Sequence, residues 1–160
     1  MMFLNKKKVI LVISISSLIF FLVFNQVRSQ ELRVVDGDTI HLNGEKIRFT
    51  GIDTPELKQT CIKEGVIKSC GVTAKEILIE KIADNKVECI GEGKDRYKRT
   101  LAECFVNDES LSGYLVRSGY AFAYRKYSKK FIPDEDYAKD NKIGMWSMQF
   151  EYPWDFRKNN

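Results

Sequence analysis

Three aspartates in the first part of the chain have the chemistry of a metal site: Asp36, Asp38 and Asp53. Asp36 and Asp38 are two positions apart, so an extended backbone would point both side chains to the same face. Gly37 between them allows a close backbone approach or a bulge. Carboxylates supply only oxygen ligands, which suit Ca²⁺ or Mg²⁺ better than zinc. Taken alone, the pattern is more often a turn with solvated acids.

Three further charged residues could bind a phosphate group or activate water beside such a metal. Glu56 follows Pro55, which restricts the local backbone, and its carboxylate could activate water as a general base. Arg48 and Arg99 lie on separate predicted strands or at their ends. Two arginines from separate segments can bind one phosphate through paired hydrogen bonds. Taken one at a time, each of these residues is equally well explained as a turn residue or as a charge on the surface.

His41 is the only histidine in the chain, and this restricts the possible mechanisms. Ser-His-Asp hydrolysis, histidine-ligated metals and histidine acid–base pairs all need a histidine in the site. Alternation with Ile40 and Leu42 places His41 on the exposed face of a strand. We therefore expect the catalytic groups to be carboxylates and arginines.

Five short strands are predicted to position these residues: Leu32–Val35, Thr39–Leu42, Lys46–Thr50, Lys86–Ile90 and Thr100–Val106. Asn43-Gly44 predicts a type I′ hairpin turn, because both residues tolerate positive φ. Apolar residues at helical spacing predict a helix over Val72–Ala83, and two more helices are expected after Asn107, one ending at Gly119 and one from Pro133 to Gly144. This order indicates a mainly β fold with α-helices (α+β), a five-stranded OB-fold barrel with about three helices.

Two segments are predicted to lack regular structure, and one to pack on the body. Residues 57–70 are expected to form a loop, and Gly91–Arg99 a charged loop. The C-terminal aromatic residues indicate an apolar segment that wraps back onto the domain: Trp146, Phe150, Tyr152 and Trp154.

The four cysteines are an even number, which in an exported chain favours disulfides: Cys61, Cys70, Cys89 and Cys104. Three connectivities are possible. Cys61–Cys70 would close a short loop, and Cys89 could face Cys104 across a hairpin, so these two pairs are favoured. A zinc site is disfavoured because no pair has the C-x2-C spacing.

The N-terminus has the layout of a secretory signal peptide. Three lysines at positions 6–8 precede an uncharged run, Val9–Phe24, and cleavage before Gln30 is plausible. An uncleaved anchor, tethering the protein through residues 9–24, is the competing hypothesis. Either reading exports the domain to the outside, secreted or periplasmic if released. We therefore divide the chain into a signal or anchor, 1–29, and a domain, 30–160.

The net charge of +4 belongs to the predicted signal segment and not to the domain. The chain has 26 basic and 22 acidic residues, and residues 1–29 hold four of the basic ones and no acid. The domain is therefore neutral, with 22 residues of each sign. Any nucleic-acid site must come from how charge is distributed.

The acids and arginines occur in an order that resembles the thermonuclease family of staphylococcal nuclease-like domains. Four segments between about Leu32 and Trp146 carry the resemblance: Val35–Thr39, Arg48, Gly51–Glu56 and Asp95–Arg99. Each motif is weak alone, whereas four in register are specific. One departure is Lys98, where the type member has glycine, and this affects the expected geometry of the loop.

The resemblance implies a single Ca²⁺ held by Asp38 and Asp53 with the backbone carbonyl of Thr54, and with Asp36 as an outer-shell acid. It implies that Glu56 activates the attacking water. Arg48 and Arg99 would be the catalytic arginines that bind the phosphate. The residues expected near the substrate are Arg96, Tyr97 and Tyr127.

These expectations combine into an exported, Ca²⁺-dependent nuclease. As the resemblance implies, it would hydrolyse phosphodiester bonds of DNA and RNA to 3′-phosphate products. We expect little sequence specificity, because stacking and phosphate contacts tolerate any base, and a monomer. The alternatives are an OB module that binds nucleic acid without cleaving it, the same nuclease tethered to a membrane, and a disulfide-stapled structural domain.

Overall fold

In the computed structural model, which describes residues 30–160, ten strands and four α-helices form a mixed α+β structure. In chain order the strands are β1 (Leu32–Val34), β2 (Thr39–Leu42), β3 (Glu45–Phe49), β4 (Ile52–Asp53), β5 (Cys61–Lys63), β6 (Val66–Lys68), β7 (Glu88–Lys94), β8 (Thr100–Val106), β9 (Glu109–Ser110) and β10 (Phe122–Ala123). The helices are α1 (Cys70–Ile82), α2 (Leu111–Arg117), α3 (Ile132–Asp140) and α4 (Pro153–Asn159), with a 3-10 turn at Gly144–Ser147. The predicted signal or anchor segment and the boundary at residue 29 lie outside the described residues. Within residues 30–160, no helix combines the length and apolar character needed to cross a membrane.

The main sheet has the strand order β1-β2-β3-β8-β7, with β9 added against β8. β3 and β8 run parallel, and the other pairs are antiparallel. The predicted mainly β fold with helices is therefore confirmed. β1 and β7 are the two ends of the ladder, so across residues 30–160 the paired strands form an open sheet and no closed barrel.

The hairpin β2–β3 forms as the turn chemistry predicts. Asn43 and Gly44 have φ angles of 51° and 83°, the signature of a type I′ turn. The register that this turn imposes places Thr39 opposite Arg48. The arginine is thereby brought beside Asp38, the residue before β2.

The core lies between the sheet and the helices, and alternation decides which strand residues enter it. Ile40 and Ile47 are buried in one cluster with Leu78 of α1 and Leu115 of α2. His41 falls on the other face, where its Nδ1 lies 3.4 Å from Nη2 of Arg33.

Both favoured disulfides form. Cys61 pairs with Cys70, with 5.9 Å between their Cα atoms. Cys89 and Cys104 are direct partners in the β7–β8 ladder, with 4.0 Å between their Cα atoms, as the hairpin prediction required.

The predicted loop over residues 57–70 is wrong, because it contains the hairpin β5–β6. Glu64 and Gly65 have φ angles of 52° and 78°, so they form another two-residue turn. The predicted loop Gly91–Arg99 is also too long, since β7 continues to Lys94 past a register shift between Gly91 and Gly93. Pairing with a neighbouring strand extends both segments. Ile62, Val66 and Ile67 favour the β5–β6 hairpin, whereas the glycines of β7 have weak strand propensity.

The C-terminal aromatic residues pack on the body, as predicted. Their rings surround the buried Phe122 of β10, and the centroids of the Trp146, Phe150 and Tyr152 rings lie 5.1–5.4 Å from that of Phe122. Beyond them the chain forms α4, a fourth helix against about three predicted. Pro153 begins this helix, where the φ angle that a proline ring fixes suits the first turn.

Candidate active site

The centre of the candidate site is a pair of buried carboxylates. Asp38 precedes β2 and is 1% exposed, and Asp53 ends β4 and is fully buried. The backbone N–H of Thr54 donates to Oδ2 of Asp38 at 3.2 Å, which ties the two segments together. Gly37 is needed for this approach, because a Cβ there would lie 2.9 Å from Oγ1 of Thr54.

Arg48 bridges the two buried acids. Its Nη1 donates to Oδ1 of Asp38, and its Nη2 donates to Oδ1 of Asp53 at 2.9 Å. Burial works against the charged guanidinium, but the neighbouring Asp38 and Asp53 raise the pKa of Arg48 above its ordinary value. The arginine is therefore a permanent cation held between two carboxylates.

Asp38 lies in a strongly perturbed electrostatic environment. Burial raises its pKa to about 7, opposed by the charge of Arg48 and reinforced by Asp36 and Asp53. Asp36 is not bridged by Arg48 but contacts Asp38 directly: its Oδ1 accepts a hydrogen bond from the Asp38 backbone N–H at 3.1 Å. A strongly raised pKa of a buried carboxyl group is typical of functional sites, so Asp38 is a candidate functional residue.

Glu56 lies beside this pair on a braced loop. Its backbone N–H donates to Oε1 of the buried Gln59 at 3.2 Å, and Nε2 of Gln59 donates to the carbonyl of Glu151 at 2.6 Å. Gly71 of α1 packs against the same loop, and a Cβ there would lie 1.8 Å from the Glu56 carbonyl oxygen. The helix start and the C-terminal segment thus fix the backbone that carries this carboxylate.

Arg157 of α4 is a site residue that the sequence analysis missed. Its Nη2 donates to Oδ2 of Asp53 at 2.6 Å, and its Nη1 donates to Oδ1 of Asp53 at 3.1 Å and to Oε1 of Glu56 at 2.8 Å. Burial opposes its charge, but hydrogen bonds to Asp53 and Glu56 raise the pKa of Arg157. The signal that could have found it is the aromatic run before it, which brings the C-terminus back to the body.

Arg99 is placed apart from this cluster. Its Nε donates to Oδ2 of Asp95 at 2.7 Å, within its own loop. In the parallel β3–β8 register Arg48 pairs with Leu101, and residues two apart on a strand share a face. Arg99, just before β8, continues the face on which Arg48 lies, but among the described residues its ion pair is with Asp95 and not with the buried acids.

The predicted substrate-side residues lie on two exposed segments, the loop before β8 and the segment after β10. Tyr97 is 65% exposed and Tyr127 is 69% exposed. The guanidinium of Arg96 lies 4.8 Å from the Tyr97 ring centroid. Lys98, which stands where the type member has glycine, adopts a left-handed backbone with a φ of 64°.

The donors that lie together fit a hard divalent cation by their chemistry. Asp38 and Asp53 offer buried carboxylate oxygens, which are the ligands that such a cation prefers. Within residues 30–160, no group of three or more histidine, cysteine or acidic side chains is arranged to hold a metal ion. Arginine nitrogens instead contact the two aspartates.

Comparison with known proteins assigns the chain to a family. Residues 46–148 match the model of the staphylococcal nuclease homologue family. Relatives include the succinoglycan biosynthesis protein ExoI of Rhizobium meliloti, 32% identical over 74% of this chain and 64% of its own length, and the endonuclease YncB of Bacillus subtilis, 32% identical over 72% and 59%. The thermonuclease of Staphylococcus intermedius is 34% identical over 65% of this chain and 60% of its own length. This chain thus spans less than two thirds of the length of each of these three relatives.

The fold and the matched segment therefore define a mixed α+β domain of the staphylococcal nuclease type. The chain belongs to the staphylococcal nuclease homologue family, as the resemblance implied. Asp36, Asp38 and Arg157 lie outside the matched segment.

Proposed function

We propose that this protein is an exported, Ca²⁺-dependent nuclease that cleaves DNA and RNA and leaves 3′-phosphates. The observation that carries the proposal is the buried pair Asp38 and Asp53, bridged by Arg48 and adjoining the carboxylate of Glu56. Membership of a nuclease family supports it, as do relatives named endonuclease and thermonuclease. A structural or purely binding role would not require two carboxylates and an arginine to be buried together, which is costly without a function.

Asp38, Asp53 and the Thr54 carbonyl would hold the Ca²⁺, with Asp36 supporting Asp38 from outside. When bound, the ion supplies positive charge to a phosphate oxygen and lowers the cost of charge building there. The raised pKa of Asp38 supports a cation at this position, since a nearby positive charge would favour the ionised carboxylate.

In the proposed reaction Glu56 takes a proton from a water molecule as the water oxygen attacks phosphorus. The bond between phosphorus and the 5′ oxygen breaks, and the leaving oxygen takes up a proton from solvent water to become a 5′ hydroxyl. The phosphate stays on the 3′ side. Arg48 and Arg99 bind the equatorial oxygens, where paired donors stabilise developing negative charge. Arg48 must exchange part of its contact with the aspartates for the phosphate.

Nucleotides would bind along the exposed rings of Tyr97 and Tyr127, with Arg96 beside the first ring. Base stacking and phosphate contacts do not discriminate among bases, so both nucleic acids are substrates with little sequence preference. Tyr124 is a further support, because its ring meets Tyr127 edge-on with 4.9 Å between centroids.

Export, a monomeric state and the OB-fold assignment belong to the same proposal. Two disulfides support a folded domain in an oxidising compartment, secreted or periplasmic. Residues 1–29 would be the signal segment or the membrane tether and residues 30–160 the nuclease domain. The order of β1–β3, α1 and β7–β8 supports the OB-fold assignment.

Digestion assays with the purified protein test the proposal. Single-stranded DNA, double-stranded DNA and RNA are incubated with Ca²⁺, with Mg²⁺ or with chelator, and product ends are identified. Cleavage with Ca²⁺ to 3′-phosphate ends is expected. Full activity in chelator would overturn the metal assignment, and binding without cleavage in Ca²⁺ would favour a nucleic-acid-binding module.

A further inference from the structure

Arg157 is rigidly presented to the acids, although it lies near the end of the chain. Trp154 is three residues earlier and therefore on the same face of α4. Its ring stacks on Tyr152, with centroids 4.6 Å apart and planes at 10°, and on Tyr124, with centroids 6.0 Å apart and planes at 6°. Phe122, which pairs with Asp53 across β10 and β4, contacts Trp154 edge-on at 6.0 Å. The helix is thus fixed to the strand that carries Asp53.

The guanidinium contacts only one oxygen of Glu56. Nη1 donates to Oε1, and within residues 30–160 no side-chain donor is seen on Oε2. The remaining donors of Arg157 hold both oxygens of Asp53. The arginine therefore restrains the direction of the glutamate relative to Asp53 and leaves one carboxylate oxygen of Glu56 open to accept a proton.

We propose that Arg157 is a positioning residue for the nuclease reaction: it aligns Glu56 against Asp53 so that the free glutamate oxygen faces the attacking water. This inference rests on the proposed function. The effect is orientation, which contributes to rate when the base is held in reach of the proton it removes.

The charges of the site are compatible with Arg157 remaining in place during turnover. The four acids of the cluster are Asp36, Asp38, Asp53 and Glu56, and the two cations in contact with them are Arg48 and Arg157. One divalent cation would balance the remaining charge. The aromatic contacts of Trp154 hold α4 in place. They therefore favour an Arg157 that stays in contact with the acids over one that must move away before a metal ion binds.

The test compares steady-state kinetics of Arg157→Ala, Arg157→Lys and Lys158→Ala in saturating Ca²⁺. Removing a residue that orients a group in direct contact with the reacting atoms or the metal typically costs roughly 10–100-fold in activity. We expect Arg157→Ala to lower kcat by about that factor, with KM changed less than about 3-fold. Arg157→Lys keeps the charge but loses the planar set of N–H donors that contacts both acids. Its kcat should therefore lie between those of wild type and Arg157→Ala. Lys158 pairs with Asp155 at the surface and is the matched control, with unchanged kcat.

A double variant separates positioning from a general structural effect. In the Glu56→Gln background the base is already lost, so adding Arg157→Ala should change kcat by less than about 3-fold, because residues that act as a unit are non-additive. Fully additive losses would overturn the positioning role. Circular dichroism and thermal unfolding of each variant check that the domain is folded, and Arg157→Lys carries the test if the alanine variant is not.

Oligonucleotide binding in chelator, measured by fluorescence anisotropy, gives a readout independent of turnover. Arg157→Ala should keep the wild-type affinity within about 3-fold, because positioning acts only in the reaction. A loss of affinity of about 10-fold or more would make Arg157 a phosphate-binding residue and overturn the proposal. Higher activity of Arg157→Ala at low Ca²⁺ would make it a competitor of the metal, which also overturns it. An inactive wild-type protein would overturn the proposed function itself.

Discussion

At the scale of single residues, the site is defined by which charges are buried and which are not. Asp38 and Asp53 are sealed inside, and their charge is balanced by Arg48 and Arg157. Glu56 is more exposed and shares one cation with Asp53. The buried acids thus suit a structural and metal-holding role, and the exposed acid suits proton transfer with water.

Glu56→Gln removes a proton acceptor while keeping the shape of the side chain. Because general base catalysis typically contributes ~10²–10⁴-fold, kcat should fall by that order. The backbone contacts of Glu56 with Gln59 and Gly71 do not involve its carboxylate, so the melting temperature should change little. Wild-type kcat in this variant would refute the assignment of the base.

Arg48→Ala leaves two buried carboxylates without their shared cation. Removal of one partner of a buried ion pair typically costs about 3–5 kcal/mol, so we expect lower stability in urea denaturation as well as loss of cleavage. Arg48→Lys, which keeps the charge, is the control and should be the more stable of the two. Equal stability of wild type and Arg48→Ala would contradict the bridge geometry.

At the scale of elements, the site depends on close contacts between segments distant in sequence. α1 approaches the Glu56 loop at Gly71, and β10 pairs with β4 at Asp53. The disulfide of Cys61 with Cys70 links the hairpin β5–β6 to the start of α1. The acids are therefore held by packing around the sheet as well as by the sheet itself.

Gly71→Ala tests the contact of α1 with the site loop. The added methyl would lie 1.8 Å from the Glu56 carbonyl oxygen, so helix or loop must move. Overpacking typically costs about 1–3 kcal/mol, and kcat should fall because Glu56 moves with its backbone. Gly91→Ala is a suitable comparison, since the nearest atom to its added methyl is 3.8 Å away. Similar urea midpoints and rates for both variants would argue against this contact.

The two disulfides should stabilise the domain separately. Their cysteines are 9 and 15 residues apart, and bridges of this span typically contribute ~2–4 kcal/mol through restriction of the unfolded chain. Replacing Cys61 and Cys70 together by serine should lower the free energy of unfolding by about that amount, measured by urea titration without reductant. Reductant should then weaken wild type more than the double variant, which retains one bridge.

At the scale of the whole molecule, four acids facing two arginines leave a demand for positive charge. Bound Ca²⁺ should therefore raise the melting temperature, because a ligand that binds only the folded state adds about 2.7 kcal/mol at 100 times its dissociation constant. Thermal unfolding with Ca²⁺ and with chelator measures this. Asp53→Ala should lose the response, and an unchanged response in that variant would place the metal elsewhere.

Local features of the sequence were enough to predict much of the fold and the position of several residues of the candidate site. Alternating apolar residues and the Asn43-Gly44 turn predicted β2 and β3, and with them the position of Arg48 beside Asp38. The ladder pair of Cys89 with Cys104 was likewise predictable from two facing strands. These features depend on residues near one another in the chain, or on simple strand pairing, so their signals are readable in sequence.

Tertiary structure alone decided the open strand order, the pairing of Arg99 with Asp95 and the place of Arg157. Arg157 contacts acids more than a hundred positions earlier, and it does so because aromatic rings before it pack around Phe122. No periodicity or turn near Arg157 encodes that contact. The acids and one arginine could be found from the sequence, whereas the partner that orients Glu56 depends on non-local packing.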